Sequence, residues 1–168
     1  MKTTSVVHLY GDHIDTDVIL PGKYLNLYTP EDLGPHCMEG LDPSFISRVR
    51  AGDVIVAGKN FGTGSSREHA PIAIKAVGIS CIIASSFARI FYRNAINIGL
   101  PVFDLPELVA AVKNGDEICA DVTHGLFEIN SITYQAKPFP PYIQGIIQAG
   151  GLAPFVKKQL TSMHQKNI

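Results

Sequence analysis

Val54-Ile55-Val56-Ala57-Gly58-Lys59-Asn60-Phe61-Gly62-Thr63-Gly64-Ser65-Ser66-Arg67-Glu68-His69-Ala70-Pro71-Ile72-Ala73-Ile74-Lys75-Ala76-Val77-Gly78-Ile79-Ser80-Cys81-Ile82-Ile83-Ala84 sets the fold class. Its first four residues are an apolar run of strand length, and residues 71–77 read as a helix stopped by Gly78. Residues 79–84 are a second near-continuous apolar run, as expected of a strand buried on both faces. Strand, helix and strand in that order make a βαβ unit with parallel strands. Between the first strand and the helix, Gly58, Gly62 and Gly64 permit backbone angles that other residues avoid and allow a ligand to approach closely. A glycine-rich turn entering a helix is a ready anion site, because unpaired N–H groups point out of the helix N-terminus. The same residues also read as a tight turn capped by Ser65 or Ser66, with Arg67 and Glu68 as solvated charges.

Outward from this unit the α/β texture continues. Ser85-Ser86 can cap a helix over 87–97 that Gly99 ends, residues 100–103 read as a third apolar strand, and 106–114 as a short helix. On the other side, 6–10 reads as a first strand, and Thr29-Pro30 and Asp42-Pro43 each open a short helix with a cap followed by proline. Asp15 and Asp17 lie two apart, so in an extended segment both carboxylates share a face. There they can bind a cation or a basic partner; they also read as turn residues bonded to their own backbone. Beyond Gly115 come three short strands over 117–122, 125–130 and 131–136, the last two a hairpin bending near Asn130-Ser131. A proline-rich connector leads to terminal helices over 142–151 and 152–160, and the polar residues 161–168 are expected to fray. With no repeat and no linker, residues 1–168 read as one domain.

Bulk properties narrow the function. The 168 residues carry a formal net charge of −1 and are 46% hydrophobic and 17% charged, which argues against a nucleic-acid binder with its basic stripe. No apolar run approaches a bilayer span, and Met1 to Ser5 lead into a strand with no signal-peptide core, so no membrane role and a cytoplasmic location are expected. Cys37, Cys81 and Cys119 are widely spaced, with no C-x-x-C, so no disulfide framework and no metal nest is legible. Cys81 and Cys119 read as small buried apolar residues and Cys37 as part of a polar loop.

The residues with chemistry are Ser65, Ser66, Arg67 and His69 on the loop, with Asp15 and Asp17 before it. Arginine suits a two-pronged carboxylate or phosphate contact better than lysine does. A serine here can be a nucleophile or, if deprotonated, a base; either role needs a strong electrostatic partner. The loop is neither a G-x-S-x-G elbow nor a Walker loop, and it lacks the third glycine of a dinucleotide fingerprint. Motif chemistry alone therefore reaches a carboxylate-binding loop with a serine of basic potential.

The run from Gly62 to Ala70, together with Asp15-Thr16-Asp17-Val18-Ile19, Tyr24-Leu25 and Ser86-Phe87-Ala88-Arg89-Ile90-Phe91-Tyr92-Arg93-Asn94, resembles the aconitase superfamily. Within it the chain is similar to the branch whose swivelling domain is a separate small subunit, and the likeness runs in order to about Leu160. The resemblance implies an α/β fold of the swivelling β/β/α type: a mixed, largely parallel or barrel-like sheet flanked by helices. It implies a large-subunit partner carrying a [4Fe–4S] cluster on its own cysteines, with no cofactor and no metal ligand in this chain. The implied reaction is a reversible dehydration and rehydration moving a hydroxyl between adjacent carbons of a small dicarboxylate, 2- to 3-isopropylmalate in leucine biosynthesis.

Three catalytic roles carry over: Ser65 as the alkoxide base, Arg67 as carboxylate holder and electrostatic stabiliser, and Asp17 as support for the arginine or for a partner histidine. Ser66 and Gly64 fall on substrate-binding positions. The resemblance also places substrate selection in the loop after Pro21-Gly22. Relatives that accept a third carboxylate have an arginine there, whereas this chain has Tyr24-Leu25-Asn26-Leu27-Tyr28, with Lys23 the nearest cation. Such a loop suits an apolar branch, since an unpaired buried carboxylate is costly. Related dehydratase subunits acting on 2,3-dimethylmalate or homocitrate, and a non-catalytic carboxylate-binding module, are the alternatives. Thr63 stands where bacterial small subunits often have cysteine.

Overall fold

The structure, a computed structural model, describes residues 4–166. Strands β1 (Thr4–Leu9), β2 (Val54–Ala57), β3 (Cys81–Ala84), β4 (Val102–Asp104), β5 (Glu117–Asp121), β6 (Leu126–Ile129) and β7 (Ile132–Gln135) join in one sheet of order β4-β3-β2-β1-β5-β6-β7. The sheet is mixed, as expected. From β4 to β1 the pairings are parallel, and from β1 to β7 they are antiparallel. All residues of β2 and β3 are buried, which is why those segments are apolar throughout rather than alternating. The β6–β7 hairpin bends at Asn130 and Ser131, both at positive φ.

The helices are α1 (Thr16–Ile19), α2 (Pro30–Leu33), α3 (Phe45–Arg48), α4 (His69–Ala76), α5 (Arg89–Asn97), α6 (Pro106–Ala111), α7 (Pro141–Gln148) and α8 (Leu152–Lys166). Helix α4 buries Ala70, Pro71, Ala73 and Ile74, and α5 buries Phe91, Ala95 and Ile96, each sealing the parallel half of the sheet. Among the described residues no helix is long and apolar enough to cross a membrane.

Several boundaries differ from the sequence reading, each for a local reason. Asp15 and Asp17 are not in an extended segment: Asp15 caps α1 and accepts the Asp17 N–H at 2.7 Å, the backbone-bonded alternative. Neither Ser65 nor Ser66 caps α4, which starts at His69 behind Glu68 with no side-chain cap. Ser86 does not cap α5; it accepts the Asn60 N–H at 2.9 Å, while Ala88 N–H donates to Phe61 O at 2.9 Å and delays the helix to Arg89. Helix α6 stops at Ala111, freeing Asn114 Oδ1 to accept the Leu9 N–H at 2.9 Å. Asp42 does not cap α3; its carboxylate takes Arg48 and the Tyr10 hydroxyl instead. Cys37, read as part of a polar loop, is fully buried, and Cys119, read as buried, is only half-buried. Helix α8 extends past Leu160 to Lys166, and Thr161 and Ser162 return hydrogen bonds to Lys157 O and Lys158 O at 3.0 and 2.7 Å. Residues 167 and 168 lie outside the described residues.

Candidate active site

Strands β1, β2 and β3 run parallel, so the segments leaving their carboxyl ends emerge on one edge of the sheet, where open α/β sheets bind ligands. Those segments lock together. Gly62 N–H donates to Ile14 O at 2.8 Å and Thr16 N–H to Thr63 O at 2.8 Å, a short parallel bridge between the β1 and β2 loops. Phe61 bridges to Phe87 in the β3 loop, and the rings of Phe61, Phe87 and Phe91 pack with centroids 5.1 to 6.4 Å apart. Two glycines make this approach sterically feasible. A Cβ on Gly62 (φ +76°) would lie 2.1 Å from the Phe91 ring, and one on Gly64 (φ +97°) would lie 2.5 Å from the Asp15 carboxylate.

On this base the chemically active side chains converge. Ser65 N–H donates to the Thr16 hydroxyl oxygen at 3.1 Å, and Thr16 Oγ1 lies 3.2 Å from Ser65 Oγ and 3.4 Å from Ser65 O. Thr16 is 2% exposed, so the partner of the serine is a buried, fixed hydroxyl. Ser66 is exposed, and its carbonyl accepts from Asn94 Nδ2 of α5 at 3.1 Å. Arg67 is half-buried, and its Nη1 donates to Asp17 Oδ1, so the arginine is held at the first turn of α1. The guanidinium fork has five N–H donors, and those that Asp17 does not take are available to an incoming carboxylate. A Cβ on Gly22 would lie 3.6 Å from Arg67 Nη1, which sets the start of the 21–28 loop beside the arginine.

Within that loop, Gly22–Tyr24 forms a single 3-10 turn. Leu27 and Tyr24 pack against the core, Leu25 is half-buried, and Asn26 and Tyr28 are exposed, the Tyr28 ring 6.2 Å from that of His69. Tyr24 is held by His36 and Glu39: its ring stacks on His36 at 3.6 Å and its hydroxyl donates to Glu39. The structure thus brings Ser65, Arg67 and Asp17 together, with Gly64 and Ser66 beside them and the 21–28 loop alongside. Thr16 and Asn94, which hold the loop through backbone and hydroxyl contacts, were not singled out from the sequence. Thr16 stands between two aspartates in the quoted Asp15-Thr16-Asp17 run, but nothing in one-dimensional spacing pairs it with a residue 49 positions away.

Cys37 and Cys81 do not fit an iron–sulfur cluster. Cys37 and Cys81 are buried on different elements, and burial raises both thiols, Cys81 up to about 12, against the thiolate a cluster needs. Among the described residues no three His, Cys, Asp or Glu side chains group closely enough to hold a metal ion.

Comparison with known proteins decides the family. Residues 14–107 match the aconitase C-terminal domain. The 3-isopropylmalate dehydratase small subunit of Caldicellulosiruptor bescii is 57% identical, covering 91% of this chain and 93% of that one. The chain belongs to the 3-isopropylmalate dehydratase small-subunit family. That of Helicobacter hepaticus is 53% identical, covering 95% of this chain and 98% of its own. The crystal structure of 3-isopropylmalate dehydratase from Methanocaldococcus jannaschii superposes with a TM-score of 0.89 at 44% identity, covering 97% of this chain and 98% of that one. A small-subunit family implies a large-subunit partner, in keeping with a loop whose reactive groups sit at the surface.

Proposed function

We propose that this chain supplies the proton-transfer and carboxylate-binding half of a site that interconverts 2- and 3-isopropylmalate in leucine biosynthesis, completed by a large subunit. The carrying observation is the pairing of Ser65 Oγ with the buried Thr16 hydroxyl beside an Asp17-braced Arg67. In this reading the Ser65 alkoxide removes the proton on the carbon next to a substrate carboxylate, and the freed pair becomes the new double bond as the hydroxyl leaves the neighbouring carbon. Re-addition of water with the positions exchanged completes the isomerisation.

An alkoxide accepts hydrogen bonds and cannot donate one. Thr16 Oγ1, already accepting from Ser65 N–H, then turns its own hydrogen toward Ser65 Oγ and stabilises the base in place. Arg67 receives the carboxylate and adds positive charge beside the developing negative charge. Ser66 and Gly64 contribute polar and backbone contact to the substrate. Tyr24, Leu25, Asn26, Leu27 and Tyr28 form the wall for its isopropyl branch. A [4Fe–4S] cluster held by the large subunit would supply the Lewis acid for the departing hydroxyl.

The test is reconstitution with the cluster-bearing large subunit, following the absorbance of the alkene intermediate. Turnover of 2-isopropylmalate in preference to homocitrate or 2,3-dimethylmalate is expected. Preference for either of the others would reassign the substrate, and activity of the isolated chain would overturn the shared-site reading.

A further inference from the structure

One carboxylate organises the entry to the 21–28 loop from three sides. Glu39 Oε1 accepts from Lys23 Nζ at 2.8 Å, Tyr24 Oη lies 2.9 and 2.7 Å from its two oxygens, and His36 Nδ1 lies 3.0 Å from Oε2. Tyr24 is held between neighbours: its ring stacks on His36 at 3.6 Å and 14°, and Lys23 Nζ sits 4.8 Å from its centroid. Hydrogen bonds from Lys23, Tyr24 and His36 keep the Glu39 carboxyl at about 2, so it is charged at any neutral pH.

Glu39 is itself tied to the catalytic side of the fold. Met38, at φ +63°, donates its N–H to Ile19 O at 2.6 Å, and Gly40 N–H donates to Val18 O at 3.1 Å. A Cβ on Gly40 would lie 2.8 Å from Val18 Cα, so the segment lies directly on α1, the helix of Thr16 and Asp17.

Lys23 is the single cation between residues 21 and 28 and follows Gly22, which abuts Arg67. Released from Glu39, its ammonium would stand on a flexible four-carbon stem near a carboxylate-binding arginine and would reward an additional negative charge. We propose that Glu39 is a specificity-determining positioning residue: it withholds the Lys23 ammonium and fixes the Tyr24 phenol, so that the loop presents apolar surface to an uncharged branch of a dicarboxylate. Selection is then achieved by keeping a charge away from the site as much as by shaping the wall, the repulsive half of specificity. The inference rests on the proposed assignment of this loop to the substrate branch.

The experiment uses the complex of both subunits, with Glu39→Gln, which keeps an acceptor for Tyr24 but loses the charge, and Glu39→Ala, which loses both. The readouts are kcat and KM for 2-isopropylmalate, the Ki of tricarballylate as tricarboxylate probe, and the melting temperature. Both variants should tighten tricarballylate inhibition about tenfold relative to the KM for 2-isopropylmalate, with kcat within about threefold of the parent. Adding Lys23→Ala to either should return the tricarballylate Ki to its starting value. A tricarballylate Ki unchanged in both variants, or a loss confined to kcat with a lowered melting temperature, overturns the proposal. Turnover of 2-isopropylmalate by the unsubstituted complex tests the underlying assignment separately, because the proposal is read only from variant-to-parent ratios.

Discussion

The Thr16 hydroxyl oxygen accepts the Ser65 N–H at 3.1 Å and lies 3.2 Å from Ser65 Oγ, so one buried side chain fixes both the backbone and the reactive atom of the serine. Thr16→Val keeps the shape and removes the hydroxyl. It should lower kcat about 10²-fold with KM nearly unchanged, the size of a lost oxyanion donor. It should also cost roughly 1–3 kcal/mol of stability, because the Ser65 N–H loses its acceptor. Thr16→Ser should retain most of the rate. Steady-state kinetics and urea midpoints on the three proteins separate the two effects.

Arg67 and Asp17 act as a unit whose direction matters. Arg67→Lys keeps the charge but loses the planar fork, and should raise KM for the dicarboxylate about tenfold or more. Asp17→Asn leaves the guanidinium in place with a weaker brace, and its effect should be smaller and in the same parameter. Substrate titration of both variants in the two-subunit complex is the check.

The fold was legible where the chain is punctuated and apolar. Apolar runs of strand length on either side of a glycine-stopped helix, Val54–Ala57 and 79–84, read as buried parallel strands, and Val54–Ala57 and Cys81–Ala84 pair in that way. The site was legible where chemistry is compressed into Ser65-Ser66-Arg67. What local sequence could not carry was pairing across the chain. Ser86 serves Asn60 rather than the helix after it, Asp42 serves Tyr10 and Arg48 rather than the helix it precedes, and Thr16 serves Ser65. Ser86 and Asn60 are 26 positions apart, Asp42 and Tyr10 are 32, and Thr16 and Ser65 are 49, so only the folded arrangement of the loops reveals these pairs.

Asp42 gives the fold an acid limit. Its carboxylate accepts from Arg48 Nη2 at 2.6 Å, from the Tyr10 hydroxyl at 2.9 Å and from the Ser44 hydroxyl at 2.9 Å, and the Arg48 contact leads in holding it at about 2. A lowered carboxyl stabilises the native state above its unfolded value near 4 and loses that contribution as pH falls through about 2. Tyr10 has the opposite sign: burial and Asp42 raise its phenol, so its contribution is present below the ordinary tyrosine range near 10 and is lost above it. Asp42→Asn should remove about 1 kcal/mol, after solvent screening, from the stability lost between pH 6 and pH 2, measured as denaturant midpoints across that range.

Gly62 is required sterically rather than chemically. With the Phe91 ring 2.1 Å from where its Cβ would stand, Gly62→Ala should destabilise the subunit by about 2 kcal/mol or more. Gly11→Ala, with nothing within 4 Å of its Cβ, should change stability by less than about 0.5 kcal/mol. Melting curves of the two variants make the comparison.

The most direct test concerns the proton that Ser65 is assigned to remove. In the two-subunit complex with Ser65→Ala, incorporation of solvent deuterium into 2-isopropylmalate, followed by NMR, should slow about 10³-fold or more, with substrate affinity preserved through Arg67. Exchange by the alanine variant at a rate within a few-fold of the unsubstituted complex would contradict the account and move the base elsewhere.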